Sequence, residues 1–175
     1  MNSLTDTLGT LMPDASWLVT IIMECSRRGF MDEGGSLPPC AFSVSVDGTP
    51  DVHLIQTDFT DETKPAVWAM VRELRKTRPV VAFISEVWVA RCDKDGMNED
   101  GSLKVMPRDN PNRTECLMLV LWQGPRHISI TAEITRNPTH LGEWEVMFDS
   151  NFPVGEITSL GGNMMDGESY PMEAN

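Results

Sequence analysis

Glu86 is the only charged residue in the run Val80-Val81-Ala82-Phe83-Ile84-Ser85-Glu86-Val87-Trp88-Val89-Ala90. Nine of these eleven residues are apolar, and β-branched and aromatic types dominate, which reads as a central strand packed on both faces. Alternation puts Glu86 on the side of Val80, Ala82, Ile84 and Trp88, and Ser85 on the opposite side. A carboxylate placed among core residues must either find a partner or be pushed toward its neutral form, and the second state suits general acid or base chemistry. Glu86 is therefore a candidate catalytic residue, weighed against a structural glutamate bonded to an arginine or to backbone.

A second constellation lies on Arg126–Arg136. His127, Ser129, Thr131 and Glu133 recur every two residues and share one side of a strand, with His127 and Ser129 as neighbours. A His-x-Ser pair can hold a phosphate in the two-histidine phosphoesterases, but those carry two such motifs. His53-Leu54-Ile55 and His140-Leu141-Gly142 do not supply the second. The plain alternative is the solvated face of an antiparallel sheet.

The loop Asp93-Lys94-Asp95-Gly96-Met97-Asn98-Glu99-Asp100-Gly101 superficially resembles a calcium loop. Met97, Asn98 and Lys104 occupy the positions that need a ligand, the glycine and the bidentate glutamate, so the match fails. Cys25, Cys40, Cys92 and Cys116 are widely spaced with no CxxC pair, and are expected to be buried, reduced thiols. No glycine-rich phosphate loop, nucleophile elbow or HExxH occurs, so neither a metal nor a cofactor is expected. Arg72, Arg75, Lys76 and Arg78 form a basic cluster able to take an anion or the acidic end of the chain.

The net charge of −12 is unevenly placed. No Lys or Arg follows Arg136, whereas seven carboxylates lie between Glu143 and Glu173. That balance argues against nucleic-acid binding and marks Glu143, Glu145 and Asp149 as candidate contacts for a basic protein partner. No apolar run reaches the roughly 20 residues that span a bilayer, and the first residues lack a signal peptide's basic and apolar regions. No membrane association is expected, and the expected location is cytoplasmic.

The elements that position these groups follow from periodicity. Leu4, Leu8, Leu11, Ala15, Leu18, Ile22 and Cys25 make a helical stripe, firm from Pro13 to a stop at Gly29. Alternation at Phe42, Val44 and Val46, a turn at Asp47–Asp51 and a strand from Val52 to Thr57 predict a hairpin. A helix is predicted from Asp61, as its cap, to Arg78, with Pro65 in its first turn and Pro79 ending it. The central strand, a long polar loop to Thr114, a strand Glu115–Gln123, a type II′ turn at Gly124-Pro125, and strands Arg126–Arg136 and Glu143–Asp149 complete the chain. The expected class is α+β: residues 1–149 as a single domain with a mainly antiparallel sheet of about six strands, order α-β-β-α-β-β-β-β. A meander with both helices on one face is the simplest arrangement. Residues 150–175 read as an irregular acidic tail.

Ile84-Ser85-Glu86-Val87-Trp88, followed by Pro111-Asn112-Arg113-Thr114-Glu115 and an apolar strand, resembles a group of uncharacterised bacterial and phage proteins. In these a Ser-Glu-x-Trp strand precedes a loop closing in Pro-x-Arg-x-Glu, and no activity is attached to them. The resemblance covers residues 61–136 and implies a structural pair between Glu86 and Arg113. The expected function is a non-enzymatic interaction or accessory protein, of phage or prophage origin by resemblance. It would bind a protein partner or itself through the acidic C-terminal region or a sheet edge. The competing expectation is a small hydrolase-like enzyme using Glu86 or the His127/Glu133 face.

Overall fold

The computed structural model describes residues 4, 8–9, 12–32, 37–55, 60, 62–90, 96, 98 and 104–149, with the side chains of 30–32 and 147–149 outside that set. The acidic tail, Asp61, Cys92 and most of the calcium-like loop lie outside the described residues. Two compact units are present: residues 1–87 with 115–155, and residues 88–114 with 156–175.

Among the described residues two long helices, α1 (Ser16–Asp32) and α2 (Lys64–Thr77), accompany six strands: β1 (Cys40–Val44), β2 (Pro50–Leu54), β3 (Val80–Val89), β4 (Thr114–Gln123), β5 (Arg126–Arg136) and β6 (Thr139–Asp149). The class is α+β with one antiparallel sheet, in the chain order expected. The spatial order is β2-β1-β3-β4-β5-β6. A pure meander would seat β3 beside β2. Instead β3 pairs with β1, Phe42 opposite Ala82, because α2 carries the chain from β2 over the sheet to the far side of β1.

Both faces of β3 and β4 are apolar, so both need a cover. Val80, Ala82 and Ile84 join Leu117, Leu119, Leu121, Ile128, Ile130, Ala132 and Ile134 in a core closed by Leu18, Val19 and Ile22 of α1 and by Ala15 just before it. The opposite face takes α2: the Trp68 ring lies 4.9 Å from that of Phe83, and the Arg75 guanidinium 5.1 Å from the ring of Trp122. The expectation of two helices on one face is therefore corrected to one helix per face. The physical reason was visible in the sequence: a strand buried on both sides cannot leave one side to water, where each large apolar side chain left exposed forgoes about 1.5–3 kcal/mol.

The helix ends also shift. Pro13 lies in a turn before α1, whose Trp17 indole donates to the Asp14 carbonyl at 3.0 Å. Gly29 does not stop α1, which runs to Asp32. Arg27 and Arg28 clasp Glu24 at 3.0 and 2.9 Å. In α2, Pro65 takes the first turn as expected, and the Arg78 amide closes the last turn on the Leu74 carbonyl before Pro79. The N-cap position belongs to Thr63.

The β1–β2 hairpin turns through Gly48, whose φ of +85° needs a glycine. Its strands begin and end two to three residues earlier than alternation suggests. Gly124, at φ +58° ahead of Pro125, makes the tight β4–β5 turn. β6 starts at Thr139, four residues early, because the turn at Asn137-Pro138 is itself tight. No helix among the described residues is long and apolar enough to cross a membrane.

Candidate functional site

Glu86 lies on the α1 side of β3, one step past Ile84, where the apolar core ends. The cation that meets it is Arg136 at the end of β5: Arg136 Nη2 donates to Glu86 Oε2 at 2.8 Å. The same guanidinium grips Glu115 at the start of β4 by two bonds, Nε to Oε2 at 3.0 Å and Nη2 to Oε1. The other oxygen of Glu86, Oε1, accepts the Leu37 amide at 2.7 Å. One arginine thus bridges two carboxylates from three adjacent strands, and Glu86 pins the chain entering β1.

The Glu86–Arg113 pair implied by resemblance is corrected by this geometry. Arg113 lies over the ring of Trp88, 4.3 Å from its centroid, within the second compact unit. Arg136 continues the core face of β5 two residues beyond Ile134, so the sheet itself delivers its side chain to Glu86.

The electrostatics are those of a satisfied ion cluster. Glu86, Arg136 and Glu115 keep 23%, 35% and 20% of their side-chain exposure, so water still reaches the group. The hydrogen bonds to Glu115 hold the Arg136 guanidinium protonated above the ordinary arginine range, and the Glu86 charge adds to that against the opposing effect of partial burial. An arginine fork on carboxylates gives strong, directional bonds, and it leaves Glu86 acting as an acceptor for both arginine and backbone.

His127, Ser129, Thr131 and Glu133 fall on the other side of the sheet, the side that carries α2. Their cross-strand partners on β4 are Trp122, Val120, Met118 and Cys116. The plain reading of a solvated face needs correction, since Ser129 and Thr131 are buried and Glu133 alone of the four is exposed. Alternation separates Glu86 from His127 and Glu133 by the thickness of the sheet, so the two candidate constellations do not converge on one site.

Cys116 sits beside this second group. Burial, with added repulsion from Glu133, Glu115 and Glu145, pushes its thiol up to about 11. Cys40 is buried and its thiol is raised by the same loss of water. Both are inert hydrophobes in practice. Cys25 departs from the expectation of burial, because the α1 stripe rotates past the core and leaves it exposed.

The acidic candidates lie on or beside the edge strand β6. Glu143 and Glu145 are exposed, Glu145 pairs across from Thr131, and Asp149 pairs across from Ile128. Glu133, Glu143 and Glu145 make no ion pair among the described residues. The basic cluster at the end of α2 is engaged within the chain: Arg78, its C-cap residue, reaches Asp51 at 3.0 Å, the exposed Lys76 reaches Glu73 at 2.6 Å, and Arg75 lies on Trp122. No group of three or more metal-ligating side chains is found among the described residues.

Sequence reasoning missed Arg136 and Glu115. A signal existed: the Gly124-Pro125 turn fixes the β4–β5 register, and Glu115 then falls a diagonal step from Arg136. No family model, curated protein or solved structure matches the chain.

Proposed function

We propose that the chain is a non-enzymatic interaction or accessory protein that engages a basic protein partner through the acidic surface of β5 and β6. The observation that carries this reading is the exposure of Glu133, Glu143 and Glu145 on neighbouring strands, with no compensating cation among the described residues. Nearby carboxylates make the local potential negative and steer positively charged partners toward it. Their excess is sustained by a chain segment that has no Lys or Arg after Arg136. Glu86 favours the same reading, because its carboxylate is engaged by Arg136 and the Leu37 amide and does not project toward a substrate. One specific form is an acidic decoy that occupies a nucleic-acid-binding protein, in keeping with the phage character of the resembling group.

The test is affinity capture from host lysate with the full chain and with Glu143→Gln/Glu145→Gln/Asp149→Asn, read by mass spectrometry. A basic protein captured by the first, lost from the second and released at about 0.5 M salt, where exposed charges are largely screened, is the expected result. A partner held equally by both chains and insensitive to salt would overturn the acidic-surface reading. So would a stoichiometric small ligand seen by native mass spectrometry.

A further inference from the structure

The opposite edge of the sheet, β2, is built differently and carries its own inference, independent of the acidic surface. In the β1–β2 hairpin the Ser45 amide bonds the Thr49 carbonyl at 2.9 Å and the Ile55 amide bonds the Pro39 carbonyl at 3.3 Å. These bonds fix which residues face β1. With Ser43 opposite Asp51 and Ala41 opposite His53, the odd-numbered residues form the hydrogen-bonded pairs. The backbone groups of Val52 and Leu54 therefore point away from the sheet, together with the Pro50 carbonyl. Their side chains, on the α1 side, are 59% and 68% exposed. Within β2 there is no lysine, arginine or bulge, and of the usual devices against strand pairing it carries Pro50 at its first position and Asp51, which is held by Arg78.

We propose that β2 pairs antiparallel with β2 of a second copy of this chain, about a two-fold axis at Val52. In that register each Val52 exchanges both backbone bonds with the partner's Val52, and each Leu54 amide reaches the partner's Pro50 carbonyl. The absent Pro50 donor removes only the outermost bonds. On the α1 side the axis stacks Val52 on the partner's Val52 and Leu54 on the partner's Pro50, covering the exposed apolar pair.

On the α2 side, hydrogen-bonding complementarity selects the register. Asp51 falls opposite the partner's His53, in the non-hydrogen-bonded site where side chains come closest, about 4.5 Å between α-carbons. Asp51 already faces Arg78, and His53 holds Ser43 Oγ through Nε2 at 2.9 Å, so each side chain is steadied on its own subunit. An axis at Asp51 would oppose two aspartates. An axis at Pro50 would oppose two residues without a donor, and one at Leu54 would set His53 against Ile55. An axis at His53 would oppose two imidazoles and set Asp51 against Ile55, whose side chain has no hydrogen-bond donor. A symmetric, self-complementary patch of this kind is the commonest way for a chain to dimerise.

The test uses the full chain. Sedimentation velocity is expected to show a dimer, and Val52→Pro a monomer with unchanged far-ultraviolet circular dichroism, since the Val52 amide points outward and the β1 ladder does not use it. Val52→Lys sets like charges across the axis and is also expected to be monomeric, which covers a failure of the proline variant to fold. Val52→Cys is expected to give a covalent dimer on mild oxidation, whereas Leu54→Cys is not, because paired residues lie about 5.5 Å apart and only position 52 meets itself. A wild-type monomer at its highest soluble concentration would overturn the proposal. A dimer that survives Val52→Lys, or a covalent dimer through position 54 in place of 52, would do the same.

Discussion

On the α1 side of the sheet, charge is gathered at one end and paired; on the α2 side, hydroxyls, a thiol and carboxylates are threaded among apolar residues. The α1 side reads Ile84, Leu117, Leu119, Ile130 and Ile134 without interruption, then closes with Glu86, Glu115 and Arg136. The α2 side holds Ser43, Ser85, Ser129 and Thr131, all buried, with Cys116 beside Glu133. The difference teaches how one sheet can divide its tasks. The first side spends its polar groups on holding strands together, through one cation and three acceptors or donors from separate segments. The second side tolerates polar atoms that contribute less to stability, and its margin at β5 and β6 is where free carboxylates reach the surface.

Removing the cation should break the comparison most severely. Arg136→Ala leaves Glu86 and Glu115 facing each other without a bridge, and loses three charge-assisted hydrogen bonds. Because the cluster is about a third exposed, the expected loss is about 2–3 kcal/mol, short of the 3–5 typical of a fully buried pair. Urea unfolding measures it, and a loss below about 0.5 kcal/mol would mean the cluster does not stabilise the sheet. Arg136→Lys should recover part of the loss, since it restores charge without the fork.

The α2 side should answer to alkali. Cys116 is raised to about 11 from an ordinary value of 9.0. A thiol with a raised folded-state value favours the folded chain below the unfolded value and loses that advantage as pH climbs through the folded one. Stability should fall between pH 9 and 11, and Cys116→Ser or Cys116→Val should flatten that part of the curve. An unchanged slope in both variants would assign the alkaline loss elsewhere.

The smallest effect is expected at Ser85. Its hydroxyl is buried and has no hydrogen-bond partner among the described residues. Removing an unmatched hydroxyl relieves its desolvation, so Ser85→Ala should be neutral or stabilising by up to about 1 kcal/mol. A loss of more than about 1 kcal/mol would indicate a partner that thermal unfolding senses.

Much of the sheet was legible in the sequence. β5 runs from Arg126 to Arg136 as its alternation predicts, and β3 and β4 differ from their apolar runs by a single residue. Strand periodicity is local, so local residues report it. The partner of Glu86 was not legible from the short motif that contains it, because Arg136 is 50 residues away and only the register of three strands brings the two together. The position of α2 failed for a related reason. Val67 and Val71 of α2 are buried, but which face of the sheet buries them depends on the crossover. Cys25 lies on the α1 stripe at the correct spacing and is still exposed, since a helix presents an arc and the sheet covers only part of it.

The place of β1 between β2 and β3 also divides the molecule in time. β4, β5 and β6 are joined by two turns of two residues each, at Gly124-Pro125 and Asn137-Pro138, so their contacts close over short chain lengths. Phe42 meets Ala82 only after α2 and its flanking segments have been gathered into one closed loop. Closure entropy grows with loop length, and non-local strand pairs are correspondingly late and slow to form. The C-terminal hairpins thus close over short loops, as β1–β2 does, whereas the pairing of β1 with β3 carries the larger closure cost.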